Sequence, residues 1–293
     1  MPANTTPANA NTGAIYRGRL APTPSGLLHA GHAATFSHAA RRAHQAGGIL
    51  ILRIEDLDTQ RCTPRFTLAA IEDLRWLGLH WQEGPDVGGV HAPYVQSQRR
   101  ENHLAAWAHL RDGNFIYPCQ RSRKDVATAA SAPNEGETEP LFPAQWRPAQ
   151  KTWSEAATPA GSNWRFRVPD GERIQFEDSL QGPQTFIAGK DFGDFLVWRR
   201  DDIPAYELAV VADDHAMRIT EVVRGEDLLK STARQILLYR ALGWTPPDWR
   251  HTPLIRDATG RRLAKRDGAP SLRALRERGL TPDKLLTPVK TNP

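Results

Sequence analysis

The chain has 293 residues, 40% of them hydrophobic and 24% charged, with a formal net charge of +5, and no apolar run approaches the ~20 residues of a membrane-spanning helix. Two cysteines, Cys62 and Cys119, exclude a disulfide framework and are too few for an all-cysteine zinc site, so the cytoplasm is the expected location. The positive balance suits a polyanionic partner without identifying one.

The first fourteen residues, 1–14, carry no charged side chain and almost no large apolar one, which predicts a disordered tail rather than a signal peptide. Tyr16 to Leu20 reads as a first strand, and "APTPSG" as a turn punctuated by two prolines and Gly26. An alanine-rich helix is predicted from Leu28 to Gln45, stopped by Gly47-Gly48. "ILILRI", from Ile49 to Ile54, is nearly continuous aliphatic and reads as a strand buried on both faces. Strand, helix and strand form a βαβ unit, hence a parallel sheet. Thr63-Pro64 is a good start for a helix through Leu77, and Ser97 for another through Leu110 to Gly113.

Residues 120–162 are rich in Ala, Pro and Glu and read as a loosely ordered insertion. "WRFRV" and "RIQFED", joined at Asp170-Gly171, predict a hairpin. "FLVW", "YELAVVA" and "ITEVV" have strand character, and Asp227 to Leu242 is an amphipathic helix ending at Gly243. After "HTPLI" comes "RDATGRRLAKRDGA", a glycine-bearing loop with a dense cationic cluster; from Ser271 one short helix and a polar tail are predicted.

In an open parallel sheet ligands bind beyond the carboxyl ends of the strands, and two features fall there. His29 and His32 share one face of a helix start, where free N–H groups and the positive dipole end favour phosphate, and Gly26 and Gly31 permit close backbone approach. The same pair also reads as two surface histidines, or as half of a metal site whose other ligands are missing nearby. Glu55, Asp56 and Asp58 follow directly on the buried strand, either as receptors for an ammonium or a ribose hydroxyl or as a solvated loop. A Walker loop and a Gly-x-Gly-x-x-Gly fingerprint are both absent from the sequence. The run "RRLAKR" is either a solvated face or a loop that closes on a polyphosphate.

Taken together, "HAGH" after the first strand and "RLAKR" far downstream resemble the HIGH and KMSKS signatures of class I aminoacyl-tRNA synthetases. "RLAPTPSGLLHAGH", "GGILILRIEDLD" and "AYELAVVADDHAMRITEVVRGEDLL" are similar to the glutamyl branch, and these blocks span most of Arg17 to Lys265. Only residues 266–293 follow Lys265, where a glutamyl-tRNA synthetase carries a large anticodon-binding region. The chain therefore resembles the truncated glutamyl-queuosine tRNA(Asp) synthetase family.

The resemblance implies an α/β fold: a Rossmann-like catalytic core with a parallel sheet in two halves, 15–119 and 194–243, an inserted α+β subdomain at 120–193, and a short helical C-terminal region, 244–293, with the KMSKS-like loop. It implies ATP with Mg²⁺ and L-glutamate as substrates, tRNA(Asp) carrying queuosine as acceptor, a monomer, and no membrane. It implies Arg19, Arg224 and Tyr206 as receptors for glutamate, Thr23 in place of a common serine, Glu55 on the α-ammonium, and His29, Gly31, His32 and Lys265 at ATP. Arg262 and Ala264 depart from the KMSKS pattern. Many members hold zinc through Cys-x-Cys and Tyr-x-x-x-Cys; here Cys119 is kept, but Arg121, Phe142 and Trp146 stand at the other three positions, so no zinc is expected. Alternatives are a glutamyl-tRNA synthetase charging tRNA(Glu) and a catalytically silent paralogue that binds RNA or a protein.

Overall fold

Strand β1 (Arg17–Leu20), helix α1 (Ala30–Gln45) and strand β2 (Ile49–Leu52) form the expected βαβ unit, with parallel pairs from Arg17↔Ile49 to Leu20↔Leu52. The chain is described by a computed structural model over residues 15–122, 125–126, 141–149, 152–254 and 270–286. The expected tail at 1–14, part of the Ala/Pro/Glu-rich stretch and the loop holding Arg262, Ala264 and Lys265 lie outside the described residues. β2 stops at Leu52 rather than Ile54, because Ile54 leaves the ladder to bridge Val95.

Helix α2 (Pro64–Trp76) begins as predicted, Thr63 accepting from the Phe66 N–H at 3.4 Å. Helix α3 (Arg100–Asp112) does not begin as predicted. Ser97 lies in a preceding 3-10 turn and donates from both N–H and hydroxyl to Asp56, at 2.8 and 2.7 Å, so it is unavailable as a cap.

The predicted hairpin pairs differently. Strands β3 (Ile116–Cys119), β4 (Asn163–Phe166) and β7 (Phe195–Trp198) form an antiparallel sheet in the order β3-β4-β7. "RIQFED" is β5 (Arg173–Asp178), and its hairpin partner is β6 (Gly182–Ile187). The stronger turn signal is Asp178, whose carboxylate accepts the N–H groups of Leu180 and Gln181 at 3.0 and 2.9 Å.

"YELAVVA" is not a strand but the start of helix α4 (Tyr206–Ala216). A short apolar run cannot by itself distinguish a buried strand from a buried helix, and every residue from Glu207 to Asp214 is buried here. Strand β8 (Glu221–Gly225) leads through a 3-10 turn into α5 (Leu229–Leu242), which closes at Gly243 with φ 69°, the left-handed cap that favours glycine. Strand β9 (Asp248–Thr252) lies parallel to β8 and, through the single pair Asp178↔Trp249, parallel to β5. The C-terminal part holds two short helices, α6 (Leu272–Glu277) and α7 (Pro282–Leu286), where one was expected.

β1 lies beside β8, with the Thr220 N–H donating to the Arg17 carbonyl at 2.9 Å and the Arg19 guanidinium to the Val223 carbonyl at 2.9 Å. Successive residues of these strands point into different cores. Leu50, Leu52 and Val223 pack with α1, α2 and Leu272 on one face. Ile51 and Val222 pack with residues of α3, α4 and α5 on the other. This alternation, with helices covering both faces, is the signature of a wound parallel sheet and leaves the strand ends open for ligands.

Candidate active site

The turn after β1 delivers His29 to the N-cap of α1 and His32 to its third helical position. The Gly31 N–H donates to His29 Nδ1 and the His29 N–H donates to His32 Nδ1, both at 3.2 Å, a reciprocal capping box. Backbone N–H groups only donate, so both Nδ1 atoms accept, and in the neutral rings the proton sits on Nε2. Gly31 also leaves room for the His29 ring. A Cβ there would lie 3.0 Å from His29 Cε1, pressing on the ring that caps the helix.

A cavity of about 220 Å³ opens at this helix start, lined by Arg19, His29, Gly31, His32, Glu55, Tyr206 and Arg224 among others. Seven sequence-predicted residues from four separate parts of the chain thus meet in one place. Thr23 is not among them; it lines a wider adjoining cavity that shares Glu55 and Tyr206. Leu254 lines the small cavity too, and Ser271 bridges His29, so described residues near both ends of the segment containing Lys265 border the site.

Beneath the cavity runs a buried ionic chain. Arg53, fully buried, donates to Glu55 at 2.9 Å and to Asp214 at 2.6 Å, and Arg19 Nε lies 3.4 Å from the same Asp214 oxygen. Burial pushes the Glu55 carboxyl above the usual carboxylate range, against the pull of Arg53. Burial also opposes the Arg53 charge, yet Asp214 and Glu55 together hold its guanidinium protonated. On the other wall, Arg224 donates to His251 Nε2 at 3.1 Å and to the Thr232 hydroxyl at 2.6 Å, with its Nη1 3.5 Å from the Tyr206 hydroxyl. Tyr206 is 39% exposed, placing it at the mouth.

Reading the sequence missed Arg53, Asp214, Thr232, His251 and Asp178. Their signal was present but weak: charged or polar residues inside runs otherwise apolar enough to be buried. Cys119 packs with Tyr117, Val126 and Phe142. Phe142 meets Trp146 edge-on at 5.7 Å, and the Arg121 guanidinium lies 4.7 Å from the Trp146 ring centroid. Aromatic and cation–π contacts thus occupy the positions at which many family members hold zinc. Among the described residues no cluster of three metal-ligating side chains occurs, and no helix is long and apolar enough to cross a membrane.

Residues 16–290 match the family described as tRNA synthetases class I (E and Q), catalytic domain, and the chain belongs to that family. Within it, the chain is 49% identical to the glutamyl-Q tRNA(Asp) synthetase of Symbiobacterium thermophilum, over 92% of this chain and 84% of that one. It is 45% identical to the glutamyl-Q tRNA(Asp) synthetase of Nitratidesulfovibrio vulgaris, over 91% and 82%. Its fold is similar to a glutamate tRNA ligase from Elizabethkingia meningosepticum crystallised in complex with its amino acid, with a TM-score of 0.73 and 31% identity. That likeness covers 87% of this chain and 53% of the ligase, so the chain spans about half of that enzyme.

Proposed function

We propose that this chain activates L-glutamate with ATP, without requiring tRNA, and transfers it to the queuosine base in the anticodon of tRNA(Asp). The observation that carries the reading is a single cavity in which Arg19, Arg224 and Glu55 stand beside the His29–His32 helix start. Two guanidiniums, one carboxylate and a phosphate-favouring helix N-terminus are the receptors that a dicarboxylic amino acid and ATP call for. The names of two relatives matched over more than four-fifths of their length support the acceptor.

Arg19 and Arg224 hold the carboxylates of glutamate, with Tyr206 and Thr23 supplying hydroxyls, and Glu55 takes the α-ammonium. An amide in place of the γ-carboxylate would set NH₂ against guanidinium donors and leave a buried charge poorly matched, which discriminates against glutamine. His29 and His32 donate from Nε2 to ATP phosphate oxygens, and the start of α1 at Gly31 adds its dipole. Lys265 stabilises the charge that builds on the α-phosphate and pyrophosphate. Mg²⁺ arrives with ATP as part of the substrate.

A glutamate carboxylate oxygen attacks the α-phosphorus in line; the new P–O bond forms as the bond to pyrophosphate breaks, and no proton moves. No side-chain nucleophile is needed, so positioning and electrostatics carry the catalysis. A cyclopentenediol hydroxyl then attacks the adenylate carbonyl carbon, AMP leaves, and the hydroxyl proton is released. The enzyme works as a cytoplasmic monomer without zinc.

The test is glutamate-dependent exchange of labelled pyrophosphate into ATP with no tRNA present. Exchange with glutamate, and little with glutamine or aspartate, is the expected result. Absence of exchange under every tRNA-free condition would overturn the reading.

A further inference from the structure

Arg224 is 5% exposed, and each of its three guanidinium nitrogens has one partner, which leaves two N–H groups for a ligand. Its Nε–H is an obligate donor, so the atom it meets at 3.1 Å, His251 Nε2, carries no proton. The imidazole proton is then on Nδ1, which lies 2.6 Å from Asp178 Oδ2. Both partners are sealed off, His251 at 0% and Asp178 at 1% exposure. Thr232 completes the cradle: its hydroxyl accepts from Arg224 and lies 3.0 Å from His251 Nε2.

Asp178 belongs to another part of the fold. It ends β5 at the pair Asp178↔Trp249, through which the β5–β6 hairpin joins β9. Its carboxylate also accepts the backbone N–H groups of His251, Leu180 and Gln181. Neither Asp178 nor His251 lines the small cavity.

We infer that Asp178 and His251 are positioning residues for Arg224: Asp178 fixes the His251 tautomer, His251 aims the guanidinium, and the hairpin turn thereby sets the glutamate affinity of a site it does not line. The inference rests on the glutamate reading proposed above. Burial, reinforced by the Arg224 charge, holds the His251 imidazole down to about 4, so the ring is neutral at physiological pH. A neutral ring has one donor and one acceptor, and only one of its two tautomers fits between a carboxylate and a guanidinium.

Asp178→Asn is the diagnostic substitution. It keeps the size and one carbonyl oxygen for the turn, but sets an NH₂ against the ring. His251 then accepts at Nδ1 and carries its proton on Nε2, where it opposes the Arg224 Nε–H. His251→Gln supplies an acceptor near the Nε2 position that does not depend on Asp178.

Tests use the full chain in tRNA-free exchange, with KM for glutamate, KM for ATP, kcat and melting temperature read for wild type, Asp178→Asn, His251→Gln and the double variant. Asp178→Asn should raise the glutamate KM about 10- to 100-fold, the range that one mispaired buried donor costs, with the ATP KM within about twofold. His251→Gln should lie near wild type, and adding Asp178→Asn to it should change the glutamate KM by less than about twofold, the non-additivity of a coupled pair. A wild-type glutamate KM in Asp178→Asn, or an equal rise in both backgrounds, reduces Asp178 to a turn residue and overturns the inference. If Asp178→Asn does not fold, His251→Leu against His251→Gln decides: only Leu should raise the glutamate KM, and equal values overturn the inference. A wild type inactive with glutamate removes the functional reading and this inference with it, whereas an active wild type with insensitive variants removes only the inference.

Discussion

Replacing Arg224 by lysine keeps the charge and removes the geometry. The arginine donates at once to His251 and Thr232 and reaches the Tyr206 hydroxyl, whereas an ammonium on a flexible stem cannot keep that fork. The protein side tolerates the loss, since Thr232 and His251 already lie 3.0 Å apart and can satisfy each other. The fold should therefore lose only about 1 kcal/mol, a few degrees in Tm. The substrate side is different: on the proposed reading one charge-assisted hydrogen bond to a glutamate carboxylate disappears, about 1.5–3 kcal/mol. At about 1.4 kcal/mol per factor of ten, kcat/KM for glutamate should fall roughly 10- to 150-fold. The KM for ATP should hardly move, because Arg224 is not assigned to the phosphates. The assay is exchange kinetics with each substrate varied in turn, together with a thermal melt. A lysine variant with wild-type kcat/KM for glutamate would refute the assignment of Arg224 as a carboxylate receptor.

Acid should destabilise the protein partly through His251. Its folded pKa of about 4 lies below the ordinary 6.5, so its contribution is whole above about pH 6.5 and is lost as pH falls toward 4, on the order of 3 kcal/mol. Denaturant melts across that window should show wild type losing more stability than His251→Gln; parallel curves would contradict this. Metal analysis should find no stoichiometric zinc, and about one zinc per chain, lost to a chelator together with stability, would show that ligands other than Cys119 had been overlooked. Lys265→Ala should leave the fold intact and cut activation by roughly two to three orders of magnitude, the scale for one charged transition-state donor, while unchanged turnover would make the basic run a solvated face.

The βαβ unit and its helix boundaries were legible because local signals agreed there. Aliphatic "ILIL" had to be buried, Thr63-Pro64 could start a helix, and Gly243 could end one. Where a long-range partner decided the outcome, local reading failed. Ser97 looked like a cap until Asp56, 41 residues away, took both of its donors. "YELAVVA" looked like a strand because its apolar residues are continuous, and only burial on all sides makes that pattern a helix. "WRFRV" could not reveal that β3 and β7, rather than β5, flank it. The candidate site was legible as motifs, and seven of its expected residues line one cavity. Its supporting shell was not, since Arg53–Asp214 and Asp178–His251 bring together residues 161 and 73 positions apart with no motif spacing.

The acceptor is the central claim, because it decides which RNA receives the activated glutamate. On the proposed reading a short anticodon stem-loop of tRNA(Asp) suffices as acceptor, and binding through its phosphates should be salt-sensitive. The decisive measurement is transfer of labelled glutamate, at one salt concentration, to that stem-loop with queuosine, to the same stem-loop with guanosine, and to unmodified tRNA(Glu). Label on the queuosine stem-loop alone is the predicted result, since guanosine lacks the cyclopentenediol hydroxyl that attacks the adenylate. Label on the terminal adenosine of tRNA(Glu), with none on the queuosine stem-loop, would contradict the account and make the chain a glutamyl-tRNA synthetase.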